Sequence, residues 1–138
     1  MQISFSKHEG RVSVTVMKLT GNLDASNYAT VIAKAQDAYD EGARSLLIDL
    51  SGVPYVSSAG LMSLHTVALI FAGHPAQSKE SSRPASRSVN AQNEKIVRQH
   101  VKLLSPQSAV EEVLDVVGLK QFLDIYTDLE TAVQSFGV

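Results

Sequence analysis

Leu46-Leu-Ile-Asp49-Leu-Ser51-Gly52-Val-Pro54-Tyr-Val-Ser57-Ser58-Ala59-Gly60-Leu61-Met-Ser-Leu64 is the stretch whose reading decides the fold. Leu46 to Ile48 form a short apolar run, the pattern of a buried strand. Asp49 ends it, and Ser51-Gly52 and Pro54 mark a loop. Leu61, Leu64, Ala68 and Phe71 then recur at helical spacing, so a helix follows whose first turn carries Ser57, Ser58 and Gly60. A serine at a helix start can cap an unpaired backbone N–H. The same position favours negative charge and accommodates a phosphate.

The flanking sequence supplies the other elements. Ile3 and Phe5 alternate with polar neighbours, Glu9-Gly10 signals a turn, and Val12, Val14 and Val16 alternate again; together they predict an antiparallel hairpin. Tyr28, Val31, Ile32, Ala35, Ala38 and Tyr39 predict an amphipathic helix with Asp24 or Ser26 as its cap and Gly42 past its end. That helix separates the hairpin from the strand at 44–50, which favours a parallel crossover. Asp49, at the strand's C-terminal end, lies where open α/β sheets carry functional loops; it either holds the loop through backbone N–H groups or faces a partner.

Gly73-His74-Pro75 ends the second helix. Residues 74–95 then hold five serines and two prolines, and their apolar residues are Ala76, Ala85, Val89 and Ala91 alone. Such a segment buries too little surface to offset its ordering entropy, so a flexible insertion is expected. Residues 74–102 carry six Lys and Arg against two Glu, a net +4 that leaves −6 on the rest of a chain whose total is −2. A basic segment on an acidic body suits an acidic partner or a lipid surface, although most such segments are solvated loops.

Ile96 to Leu104 predicts a fourth strand. Ser105-Pro106 starts a helix with Val110, Val113, Leu114 and Val117 inward, and Gly118 stops it. Phe122 to Tyr126 predicts a fifth strand, and Asp128 caps a last helix with Leu129, Ala132, Val133 and Phe136 inward. The order β-β-α-β-α-β-α-β-α argues for one α/β domain over residues 1–138: a mixed, mainly parallel sheet of about five strands with about four helices.

Composition narrows the chemistry. The chain has 138 residues, 44% of them hydrophobic, and no cysteine, so disulfides and thiolate ligands are excluded. No apolar run approaches the roughly 20 residues of a membrane span, and the N-terminal stretch lacks the apolar core of a signal peptide. A cytoplasmic protein is the expectation. Neither the four histidines nor any glycine-rich motif forms a metal or phosphate-cradling pattern, no Gly-x-Ser-x-Gly elbow surrounds Ser58, and no paired base is evident. The expectation is a recognition surface rather than an enzyme, with no cofactor, no metal and no nucleic acid.

Asp49-Leu-Ser-Gly-Val-Pro-Tyr-Val-Ser-Ser-Ala-Gly-Leu61 resembles the signature of the STAS family, the anti-sigma factor antagonists, and Gly21-Asn-Leu-Asp24 resembles its second element. The likeness runs through residues 1–73 and resumes at about 96–138. It implies a STAS-like fold and a protein that, unphosphorylated, binds an anti-sigma factor that is also a serine kinase. Phosphorylation then releases the complex. It places the phosphoacceptor at Ser58, with Ser57 as the alternate because many members carry aspartate there. It also implies a partner-binding face that includes Asp24, Asp49, Ser57, Ala59 and Gly60. STAS-like domains also serve as unphosphorylated accessory subunits of phospholipid-transport complexes, which is the alternative function.

Overall fold

The computed structural model describes residues 1–73, 99–121 and 123–137. Five strands lie in the order β1 (Gln2–Glu9), β2 (Ser13–Thr20), β3 (Leu46–Gly52), β4 (Val101–Leu104) and β5 (Asp124–Tyr126). β1 and β2 pair antiparallel in unbroken register from Gln2 opposite Thr20 to Glu9 opposite Ser13. The other three pairings are parallel. Among the described residues four named helices connect or follow them: α1 (Tyr28–Asp40), α2 (Ser58–Phe71), α3 (Ser108–Val116) and α4 (Leu129–Ser135). This is the mixed α/β sheet that the periodicities predict.

The side-chain period of two sorts each strand between two cores. Met17, Leu19, Leu46, Ile48, Leu50 and Leu103 face one side, under Val31 and Ala35 of α1, Leu64, Val67 and Phe71 of α2, and Val110 and Leu114 of α3. On the other side Val14, Val16, Leu47 and Leu104 meet Ala132, Val133 and Phe136 of the α4 segment. Among the described residues three helices thus cover one face and one short helix covers part of the other. Lys102, on that second face, is buried; it pairs with Asp124 at 3.7 Å and lies over the rings of Phe136 and Tyr126.

Several boundaries differ from the sequence expectation, each for a local reason. α1 begins at Tyr28, not at a cap on Asp24 or Ser26. Asp24 spends its carboxylate on Ser26, and the Asn27 amide side chain accepts from Asp24 N–H, so these residues close a turn of their own before the helix starts. Ser105 does not cap α3, which starts at Ser108 after Gln107. Ser105 instead sits at φ +50°, where its N–H reaches Tyr126 O at 2.7 Å and ties β4 to the end of β5.

The strand expected from Ile96 begins at Val101; residues 96–98, like the insertion expected at 74–95, lie outside the described residues. The fifth strand is Asp124–Tyr126, because Leu119–Gln121 turn as a short 3₁₀ segment, and Phe122 is not among the described residues. Val117 and Leu129, expected inward, are exposed at the ends of their helices, where the stripe has already rotated past the sheet. Asp128 caps α4 as expected, accepting from Thr131 N–H at 2.8 Å.

Candidate functional site

β2 and β3 are parallel neighbours, so their C-terminal ends release two loops side by side. Those loops continue to pair after the strands end. Gly21 N–H donates to Gly52 O, Leu23 N–H to Tyr55 O, and Ser57 N–H to Leu23 O, each at 2.9 Å. Leu23 and Val56 form an isolated parallel bridge, and both side chains are buried. Asp24 therefore follows Leu23, and Ser58 follows Ser57, one residue past the same hydrogen bond. The two sequence elements, 35 positions apart in the chain at Leu23 and Ser58, emerge together at one edge of the domain.

Ser57 and Ser58 divide the work of the helix start. Ser57 is the N-cap of α2: its backbone is extended and its hydroxyl accepts from Gly60 N–H at 3.2 Å. Its side chain is half-buried. Ser58 is the first helical residue and is exposed, and its hydroxyl has no hydrogen-bond partner among the described residues. One serine thus closes the helix while its neighbour presents a free oxygen.

Gly60 is buried, with its α-carbon against the opposite loop. A Cβ there would land on the Leu23 carbonyl oxygen and lie 2.9 Å from both Leu23 Cγ and Val56 Cγ1. The demand for glycine comes from inside the fold, because a side chain would push α2 away from the bridge that positions Ser58. Ala59, half-buried, is the small residue of this turn that reaches the surface.

Asp24 stands at this edge and Asp49 within β3, each with its carboxylate partly engaged. Asp24 Oδ1 accepts from Ser26 O–H at 2.6 Å and from Ser26 N–H at 3.0 Å. These bonds hold its carboxyl below the ordinary value of 3.8. Asp49 Oδ1 accepts from Ser51 N–H at 2.9 Å, a bond within the last residues of β3, while its side chain remains half-exposed. Gln107 adds a third strut, donating from its side chain to Ser51 O at 2.9 Å.

Two residues of this surface had no distinguishing signal in the sequence. Tyr55 is 54% exposed and Met62 is 62% exposed. Tyr55 precedes Ser58 by three positions, in the loop before α2, and Met62 follows it by four, on the same helical face as Ser58. Two large exposed side chains thus lie within four positions of Ser58 in the chain. Periodicity alone assigns Met62 to neither face, because α2 is largely apolar; its neighbours Ser63 and Leu64 turn inward. Among the described residues, no group of three or more His, Asp or Glu converges to hold a metal ion, and no helix is long and apolar enough to cross a membrane.

With this geometry in place, the comparisons with known proteins agree on the class. The family model "Mlab, STAS domain" matches residues 7–77, just over half of the chain. The chain belongs to the STAS family. Its fold is shared with a candidate anti-sigma factor antagonist from Thermotoga maritima, at 17% identity and TM-score 0.69, over 96% of this chain and 92% of that one. It is also shared with the Bacillus cell fate determinant SpoIIAA in its phosphorylated form, at 16% identity and TM-score 0.54, over 93% of this chain and 96% of that one. A further likeness covers 87% of this chain but 17% of the murine anion transporter Slc26a9, at 17% identity and TM-score 0.59. At these identities the likenesses establish the SpoIIAA-like STAS fold. No curated protein sequence matches the chain.

Two outcomes test the architecture of the site. Gly60→Ala overpacks the bridge and lowers unfolding stability by about 1–3 kcal/mol, measurable by urea denaturation. An unchanged midpoint would show that the loops separate freely. In an NMR titration Asp24 ionises below 3.8, and Ser26→Ala moves it back toward that value. Because the folded-state pKa lies below the unfolded one, this contribution to stability is present above the unfolded pKa and fades as pH falls through the folded pKa.

Proposed function

We propose that this STAS protein is an anti-sigma factor antagonist whose partner binding is switched by phosphorylation of Ser58. The observation that carries the reading is the pairing of an exposed, unpartnered Ser58 hydroxyl with a Ser57 hydroxyl already spent on the helix cap. In the unphosphorylated state the exposed Tyr55 and Met62, with Ala59 between them, offer apolar area to an anti-sigma factor. Asp24 and Asp49 set an acidic margin that suits basic groups on that partner. The family resemblance makes the same partner the serine kinase: Ser58 Oγ attacks the γ-phosphorus of the kinase-bound ATP, loses its proton, and ADP leaves.

The switch is electrostatic and local. A phosphoserine adds about −1.5 to −2 charge at neutral pH. The first turn of α2 tolerates that charge, since its free N–H groups and dipole favour an anion. The partner does not: the phosphate's hydration shell stands between Tyr55 and Met62, and its charge adds to Asp24 and Asp49. Loss of the complex then needs no rearrangement of the sheet. The phosphorylated form in which SpoIIAA has been solved supports the reading by analogy, for that protein.

A second reading, a constitutive accessory subunit of a transport complex such as one that moves phospholipid, has in its favour the likeness to part of an anion transporter. It requires no chemistry at Ser58. Co-purification distinguishes the two, through a kinase-like partner in one case and a transporter subunit in the other.

Ser58→Ala retains binding to the anti-sigma factor and accepts no phosphate. Ser58→Glu weakens binding about tenfold or more in isothermal titration calorimetry. Ser57→Ala still accepts phosphate but lowers stability by about 1 kcal/mol through loss of the cap. Undiminished phosphate on the Ser58→Ala protein would overturn the assignment.

A further inference from the structure

The two margins of the sheet differ sharply. Among the described residues β5 ends it with three residues, whereas β1 ends it with eight, all paired to β2 without a bulge. A long regular edge leaves every second N–H and C=O pointing outward as a template for another strand. Proteins usually blunt such edges with proline, a bulge, a short strand or inward charges. Gln2-Ile-Ser-Phe-Ser-Lys-His-Glu9 contains no proline and no glycine, and its charges stand at its C-terminal end. At its middle is Phe5, 42% exposed, while Phe71 and Phe136 are almost wholly buried.

We propose that β1 is a homodimer interface, pairing antiparallel with β1 of a second copy about a two-fold axis at Phe5. The strand is self-complementary in that register. Phe5 meets the second copy's Phe5, Ser4 meets its Ser6, Ile3 its Lys7 and Gln2 its His8, so no like charges stand opposite one another. The phenylalanine pair shields both exposed rings, and Ser4 and Ser6 pair hydroxyls on the other face. With the axis perpendicular to the sheet, odd residues meet odd and even meet even, as the alternation of faces requires. Two five-stranded sheets then join into one of ten strands.

The arrangement has a consequence for Ser58. The two copies run antiparallel, so the loop-bearing ends of their parallel strands point in opposite directions. Both serine surfaces remain free, and the dimer presents two separate sites. The inference does not rest on the phosphorylation reading, since β1 contributes nothing to the Ser58 surface.

Sedimentation equilibrium of the full chain from micromolar to millimolar concentration tests it. The expected result is a reversible monomer–dimer equilibrium, which Phe5→Lys weakens about tenfold by removing the ring pair and opposing two charges. Far-UV circular dichroism of the variant remains that of the parent. The absence of cysteine permits a register test. Directly opposed residues of antiparallel strands lie within disulfide reach, so Phe5→Cys gives a covalent dimer on mild oxidation. His8→Cys, opposite Gln2 rather than itself, does not. A chain that stays monomeric at millimolar concentration overturns the proposal. So does a dimer indifferent to Phe5→Lys, or equal cross-linking of the two cysteine variants.

Discussion

The carbonyl of Leu23 is the point on which the functional edge depends. It accepts from Ser57 N–H and thereby fixes the last residue before α2. Gly60 lies against the same carbonyl, one turn into the helix, where any side chain would collide. The parallel bridge from Leu23 to Val56 extends the sheet beyond the irregularity between Lys18 and Thr20. Backbone groups, rather than side chains, set the position of the exposed serine. That arrangement leaves the side chains of Asp24, Tyr55, Ser58 and Met62 available for recognition, because none of them is needed to hold the loops together across the bridge.

The electrostatic character of this edge comes from a balance of opposed terms. The start of α2 attracts negative charge, and Asp24, on the loop paired with that start, opposes it. Asp24 is stabilised as an anion by Ser26, so it stays charged down to acidic pH. Asp49 gives one oxygen to Ser51. An anion added at Ser58 is thus compatible with the folded chain and costly to any surface pressed against it. The rest of the domain acts as a rigid mount. Helices α1 to α3 pack one face of the sheet, and α4 covers part of the opposite face, with Phe136 beside the buried Lys102.

Much of this was legible in the sequence. The apolar run Leu46–Ile48, the breakers Ser51 to Pro54 and the spacing of Leu61, Leu64, Ala68 and Phe71 located β3, the loop and α2, and the family signature supplied the topology around them. What failed to show depended on which partner each polar group found in the fold. Asp24 looked like a helix cap, but its oxygen was claimed by Ser26 two residues away. Ser105 looked like another, but its N–H was claimed by Tyr126 across the sheet. Gly60 entered through the family signature alone, and its contact with Leu23 across the bridge shows only in the fold. Tyr55 and Met62 carry no motif, and their exposure follows from the orientation of α2 on the sheet.

The central claim is that Ser58, not Ser57, carries the switch. Phosphosite mapping by mass spectrometry of the protein isolated from its own cells, across growth and stress conditions, tests it most directly. The account predicts a phosphate on Ser58 whose occupancy changes with condition, with Ser57 unmodified. Phosphate on Ser57, or an unmodified pair of serines in every condition, would contradict it.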